Sequence, residues 1–274
     1  FASMPIGYNH PYMMENKDRL THAALNKVTN SDVYSTEMAE FVETVARIAQ
    51  PDYLPYAFYV EGGTLAVENA LKVSFDWKVR KNLASGKGAK GEKILHFKDC
   101  FHGRSGYTMS LTDSPDPRKT LYFPKFDWPR VLNPKITFPL DEASVAEAEI
   151  QSIAEIKAAI NANLDDIAAL IIEPIQGEGG DNHFREEFFR ALRTICDENE
   201  ILFIFDEVQT GIGLTGKMWA HQHYGEDCRP DIISFGKKTQ ICGIFVSDRV
   251  DEVENNVFHE SSRLNSTFGG NRAA

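Results

Sequence analysis

The chain has 274 residues, 42% of them hydrophobic and 25% charged, which is enough apolar material for one large globular core. A net charge of −11 argues against nucleic acid or an anionic membrane as partner, because either requires a basic face. Four scattered cysteines (Cys100, Cys196, Cys228, Cys242) with no C-x-x-C pair argue against a zinc site or a disulfide framework, and a reducing cytoplasm is the expected compartment.

The sequence opens on Phe1 and closes on Asn271-Arg-Ala-Ala274 and is read as an internal fragment of a longer protein. No apolar run approaches the roughly 18–20 residues of a membrane span. Ser31–Gln50 is predicted to be an amphipathic helix with Val33, Met38, Phe41, Val42 and Val45 on one face. Runs rich in β-branched and aromatic residues predict strands at Ala57–Glu61, Lys93–Phe97, Ala168–Glu173, Ile201–Phe205, Asp231–Phe235 and Gly243–Ser247. Helical periodicity separates most of them, at Thr64–Asn82, Ser144–Asn161 and Phe184–Glu200. Strand and helix in alternation imply an α/β fold, a mostly parallel central sheet with helices on both faces.

In such sheets ligands bind beyond the carboxyl ends of the strands, so residues there are the first candidates. Ile201-Leu-Phe-Ile-Phe-Asp206 delivers a carboxylate at that edge, and Asp231-Ile-Ile-Ser-Phe-Gly-Lys237-Lys238 delivers an amine. A lysine able to form a Schiff base and an acid able to keep a pyridinium nitrogen protonated are what pyridoxal 5'-phosphate chemistry needs. Neighbouring side chains of extended backbone face opposite ways, so only one lysine is expected to reach the site; Lys237, directly after Gly236, is the choice. Val208 alternates with Asp206 and is expected on a ring face, and Gln209 at the cofactor's phenolic oxygen.

Glu61-Gly62-Gly63-Thr64 opens a long helix. Gly63 allows close backbone approach, Thr64 is expected to cap the helix, and the free amides suit a phosphate; alone, the same residues serve as a plain β-to-α turn. In Phe101-His102-Gly103-Arg104, Phe101 is suited to stack on a pyridine ring and Arg104 to grip a carboxylate. Gly211-Ile-Gly-Leu-Thr-Gly216 matches G-x-G-x-x-G but lies too far past its strand and lacks the later acid of a dinucleotide fold. His221 and His223 have no evident third ligand and are read as structural, so no metal is expected.

Together these residues resemble class III (fold type I) pyridoxal phosphate aminotransferases. The likeness is carried by Glu61–Lys72, Phe101–Gly106, Glu173–Gly180, Phe205–Gly211, Phe235–Lys238 and Leu264–Gly270. It implies a segment 1–50 leading into a cofactor-binding large domain, 51–274, with a C-terminal small domain absent from this chain. It also implies Lys237 as Schiff-base lysine, Asp206 as pyridinium partner, Gly63 and Thr64 as phosphate cradle, and Phe101 as stacking ring. Gln209 would touch cofactor and substrate, and Arg104 would hold a substrate α-carboxylate. Thr267 would reach the phosphate of a neighbouring subunit, implying a homodimer with shared sites. Glu178 resembles the family's gate, pairing with an arginine while the amino donor is bound and releasing it for 2-oxoglutarate. The first, third and last segments are most similar to the branch that takes the ε-amine of L-lysine. The alternatives are a 4-aminobutyrate or other ω-amino acid enzyme and a non-catalytic homologue or assembly module.

Overall fold

Two-residue alternation along the strands sorts the side chains into two cores, and that sorting decides the architecture. In the computed structural model, which describes residues 3–26, 28–29 and 32–272, Ile94, Ile171, Ile204, Ile232 and Ile244 point into one core. Leu95, Leu170, Phe203, Phe205, Ile233 and Phe245 point into the other. Strands covered on both faces read as continuous apolar runs, which is why they are visible in the sequence.

Among the described residues, seven strands form one sheet: β1 (Tyr56–Val60), β2 (Lys93–Phe97), β3 (Arg130–Val131), β4 (Ile167–Ile172), β5 (Leu202–Asp206), β6 (Ile232–Phe235) and β7 (Cys242–Val246). Their order is β1-β7-β6-β5-β4-β2-β3. The run from β3 to β6 is parallel, and β7 and β1 continue it antiparallel. The helices are α1 (Pro11–Glu15), α2 (Lys17–Leu25), α3 (Thr36–Ile48), α4 (Gly63–Ala84), α5 (Gly106–Leu111), α6 (Glu142–Ala162) and α7 (Glu186–Glu198). Val67, Leu71 and Trp77 of α4 seal one face, while Ile156 of α6 and Phe188, Leu192 and Ile195 of α7 seal the other. The fold class read from the sequence is the observed one. No helix among the described residues is long and apolar enough to cross a membrane.

Local departures have local causes. The expected start of α3 at Ser31 lies outside the described residues. The helix begins at Thr36 because Ser35 caps it, its hydroxyl accepting from Met38 N at 3.2 Å. Val33 therefore precedes the helix and is exposed, while Phe41 packs edge-on against Tyr59 at 5.3 Å. Thr64 is not the cap of α4: Gly62 holds that position without a side-chain bond, and Thr64 is the second helical residue. The Gly211–Gly216 segment folds as turns and opens no helix.

Asp231 sets where β6 begins and so where its carboxyl end arrives. Its Oδ2 accepts from Phe203 N of β5 at 2.7 Å, from Arg193 of α7 at 3.0 Å and from Arg249 at 3.0 Å. All three side chains are largely shielded from water, so removing the carboxylate strands two guanidinium groups and a strand amide. Asp231→Ala is expected to lower stability by about 3–5 kcal/mol. Urea unfolding measures this, and a loss under about 1 kcal/mol would contradict the pinning role.

Candidate active site

The parallel strands end side by side, so residues distant in sequence meet at one edge of the sheet. Asp206 is the last residue of β5, Glu173 follows β4, and Lys237 comes two residues after β6. Together with Gly63, Thr64, Phe101, His102, Val208 and Gln209 they line a cavity of about 330 Å³.

Asp206 is buried and held by three donors. His102 Nδ1 donates to Oδ2 at 2.8 Å, Ser234 Oγ donates to Oδ1 at 2.9 Å, and Val208 N donates to Oδ1 at 3.1 Å. Donors of this kind satisfy a carboxylate that has lost its water. Glu173, also buried, accepts from Phe101 N at 3.2 Å. Burial, and after it the charge of Asp206, push its carboxyl well above the usual carboxylate range.

Lys237 is half-buried, its Nζ 3.4 Å from Gln209 Oε1. Burial lowers its amine, and the nearby Asp206 and Glu173 oppose that shift. The lysine occupies the left-handed region at φ 59°, a conformation that costs a non-glycine residue about 1–3 kcal/mol and is typically tolerated at functional positions. The glycine before it is required by space: a Cβ on Gly236 would lie 2.3 Å from Cys242 Sγ. At the other end of the cavity a Cβ on Gly63 would lie 2.7 Å from Val208 Cγ1. That glycine lets Val208 pack against the first turn of α4, an end whose leading amides and positive dipole favour an anion.

The structure thus gathers seven of the expected site residues: Gly63, Thr64, Phe101, Asp206, Val208, Gln209 and Lys237. Arg104 is exposed and borders an adjoining cavity of about 650 Å³ with Lys119 and Phe123. Glu178 pairs with Lys119 and accepts from Ser114 Oγ at 2.9 Å, and the Lys119 amine stands 5.6 Å over the Phe101 ring. Thr267 is exposed and does not line the Asp206 cavity. His221 is taken up by Glu207 at 2.9 Å and by Tyr53 Oη at 2.5 Å, and His223 lies 3.1 Å from the Thr215 hydroxyl. No cluster of metal-ligating residues occurs among the described residues.

The turn after β6 departs from the expected backbone. Lys237 and Lys238 do not alternate as extended neighbours, because Lys237–Thr239 is a 3-10 turn. Lys238 is buried, and its Nζ donates to the Gln209 carbonyl. His102 and Glu173 join the cavity without a role expected from the sequence pattern. Glu173 was detectable, since it follows β4 just as Asp206 ends β5; the bond from His102 to Asp206 spans 104 positions and has no sequence signal.

Comparison with known proteins agrees with this geometry. The profile of the class-III aminotransferase family matches residues 1–274. The L-lysine-epsilon aminotransferase of Mycobacterium tuberculosis is 54% identical over 98% of this chain and 60% of its own length. A solved structure of lysine aminotransferase from M. tuberculosis superposes with a TM-score of 0.95, covering 99% of this chain and 63% of that one. The L-lysine-epsilon aminotransferase of Amycolatopsis lactamdurans is 48% identical over the whole chain and 61% of its own length. The 4-aminobutyrate aminotransferase of Emericella nidulans is 35% identical, over 89% of this chain and 53% of its own length. The chain thus spans about 60% of the length of the lysine-specific relatives it matches.

The raised carboxyl of Glu173 has a pH consequence. A carboxyl whose folded value lies above its unfolded one contributes stability that is fully present below the unfolded value and is lost as pH rises through the folded value. Glu173→Gln fixes the uncharged form, so it is expected to melt like the parent in acid and above it at alkaline pH. Thermal melting of the cofactor-free chain across that range checks this, and a difference independent of pH would contradict it.

Proposed function

The chain belongs to the class-III aminotransferase family, and on that premise we propose that the complete protein is a cytoplasmic L-lysine 6-aminotransferase using pyridoxal 5'-phosphate. It moves the ε-amino group of L-lysine to 2-oxoglutarate, giving 2-aminoadipate 6-semialdehyde and L-glutamate. The observation that carries this reading is the meeting of the Lys237 amine and the Asp206 carboxylate in one cavity at the carboxyl edge of the sheet. The lysine-specific relatives also stand well above the 4-aminobutyrate relative in identity.

The residues present fit the cofactor. The first turn of α4, with Gly63 and Thr64, would hold its phosphate; Asp206 would hold the ring nitrogen; Phe101 and Val208 would flank the ring, and Gln209 would meet the phenolic oxygen. When bound, the cofactor supplies an aldehyde that captures amines and a protonated ring that draws electron density from the substrate carbon.

The chain's own groups do the rest. Asp206, fixed by His102, Ser234 and the Val208 amide, keeps the ring nitrogen's proton in place without moving during turnover. Lys237 Nζ, whose amine burial lowers, would give way to the incoming ε-amine and would then hold the proton removed from the substrate carbon and hand it on. Arg104, exposed in the adjoining cavity, holds the α-carboxylate of lysine and so presents the far amine to the reacting end. Glu178 gates the exchange of lysine for 2-oxoglutarate, and its present bond to Lys119 keeps it close to Phe101. Residues 51–274 form the cofactor-binding large domain, and Thr267 contributes to the phosphate site of a second subunit in a homodimer.

Borohydride reduction of the holoenzyme followed by peptide mapping is expected to mark Lys237, and Lys237→Ala to lose the visible cofactor band; a mark on another lysine would contradict the assignment. Asp206→Ala is expected to retain the mark but to lose kcat by a factor of about a hundred or more, as deletion of a buried ionic partner predicts. Product analysis with L-lysine and with 4-aminobutyrate as competing donors is expected to yield the semialdehyde of the former in excess.

A further inference from the structure

The two adjacent lysines converge on one residue. Lys237 Nζ lies 3.4 Å from the Gln209 side-chain oxygen, and Lys238 Nζ donates to the Gln209 main-chain carbonyl. The 3-10 turn over Lys237–Thr239 permits this, since extended backbone would send the second amine away. An ammonium group is seldom buried, and Lys238 is buried one residue from the amine assigned to catalysis. A gap-filling stem with its head resting on a convenient carbonyl would be the plainer account. The location of that carbonyl argues for more: Gln209 lies three residues past Asp206, on the turn that carries Val208 and Gln209 into the cavity. One buried ammonium therefore ties the loop after β5 to the loop after β6.

Resting on the aminotransferase reading, we propose that Lys238 is a positioning residue whose ammonium pins the main chain of Gln209 and so aims the Gln209 amide at Lys237. Like charges one residue apart also oppose each other's protonation. Burial and the Lys237 charge pull the Lys238 amine down to about 8, with Glu207 acting in the other direction. Among the described residues, the other charged or titratable groups facing the pair are Asp206 and Glu173 on the cavity side, Cys242, whose thiol meets the Lys237 main chain, and Tyr8, His10 and Lys17, which line with Lys238 a cavity of about 480 Å³.

The test uses the complete holoenzyme, with Lys238→Met to remove donor and charge and Lys238→Arg to restore both. Lys238→Met is expected to keep the cofactor band, because Lys237 is intact. The pH midpoint of that band is expected to rise by about half a unit or more, because a neighbouring cation has been removed. Its kcat is expected to fall about tenfold or more while KM for L-lysine stays within about twofold, the pattern of a mispositioned catalytic group. Lys238→Arg is expected to return midpoint and kcat toward the parent values. A band midpoint and kcat unchanged in Lys238→Met overturn the inference. Should that variant not fold, Lys238→Gln carries the test: the midpoint rises with a smaller loss of kcat, and an unmoved midpoint overturns the inference. Absence of a cofactor band in the parent holoenzyme would instead overturn the aminotransferase reading and this inference with it.

Discussion

A carboxylate fixed out of water at the end of a parallel strand is the constraint on which the site depends. Asp206 cannot be solvated where it sits, so the chain surrounds it with donors from three separate elements: the loop after β2, strand β6 and its own following turn. Each donor has to arrive in register, and register comes from the sheet. β5 pairs with β6 so that Asp206 stands opposite Ser234, and the pinning of β6 at Asp231 holds that pairing from the far end. Site and fold are therefore parts of one arrangement, and a shift of a single residue in β6 would take both Ser234 and Lys237 out of place.

Charge is managed around that carboxylate. A second acid, Glu173, borders the same cavity, and two close buried carboxyls resist ionising together. Burial, and after it the charge of Asp206, push the Glu173 carboxyl up. The amines are arranged the opposite way: burial lowers both Lys237 and Lys238, and the charge of Lys237 lowers the second further. Backbone strain at Lys237 and the close contact of Gly236 with Cys242 belong to the same corner of the fold.

Most of the framework is legible in the sequence, because two-sided burial writes long apolar strands into it. β2 was predicted to the residue, and β1, β4, β5, β6 and β7 to within one residue at each end, whereas β3, only two residues long, left no pattern. Residues at strand ends were legible for the same reason, and Asp206, Lys237, Phe101, Gly63, Thr64, Val208 and Gln209 meet as expected. What escaped depends on contacts distant in sequence or on turn geometry. The bond from His102 to Asp206 and the burial of Lys238 require knowing how β2, β5 and β6 end relative to one another. The capping of α4 was misread because Gly62, and not Thr64, makes the transition into the helix.

In the proposed reading, Asp206 would hold a proton on the pyridine nitrogen of the cofactor, and Lys237 would meet its carbonyl carbon. The most direct measurement is the nitrogen-15 chemical shift of ring-labelled pyridoxal 5'-phosphate bound to the complete protein, followed as a function of pH. A pyridinium shift is expected to persist far into the alkaline range and to collapse to that of a neutral pyridine in an Asp206→Asn variant. A ring nitrogen that titrates as the free cofactor does, or is indifferent to residue 206, would contradict it.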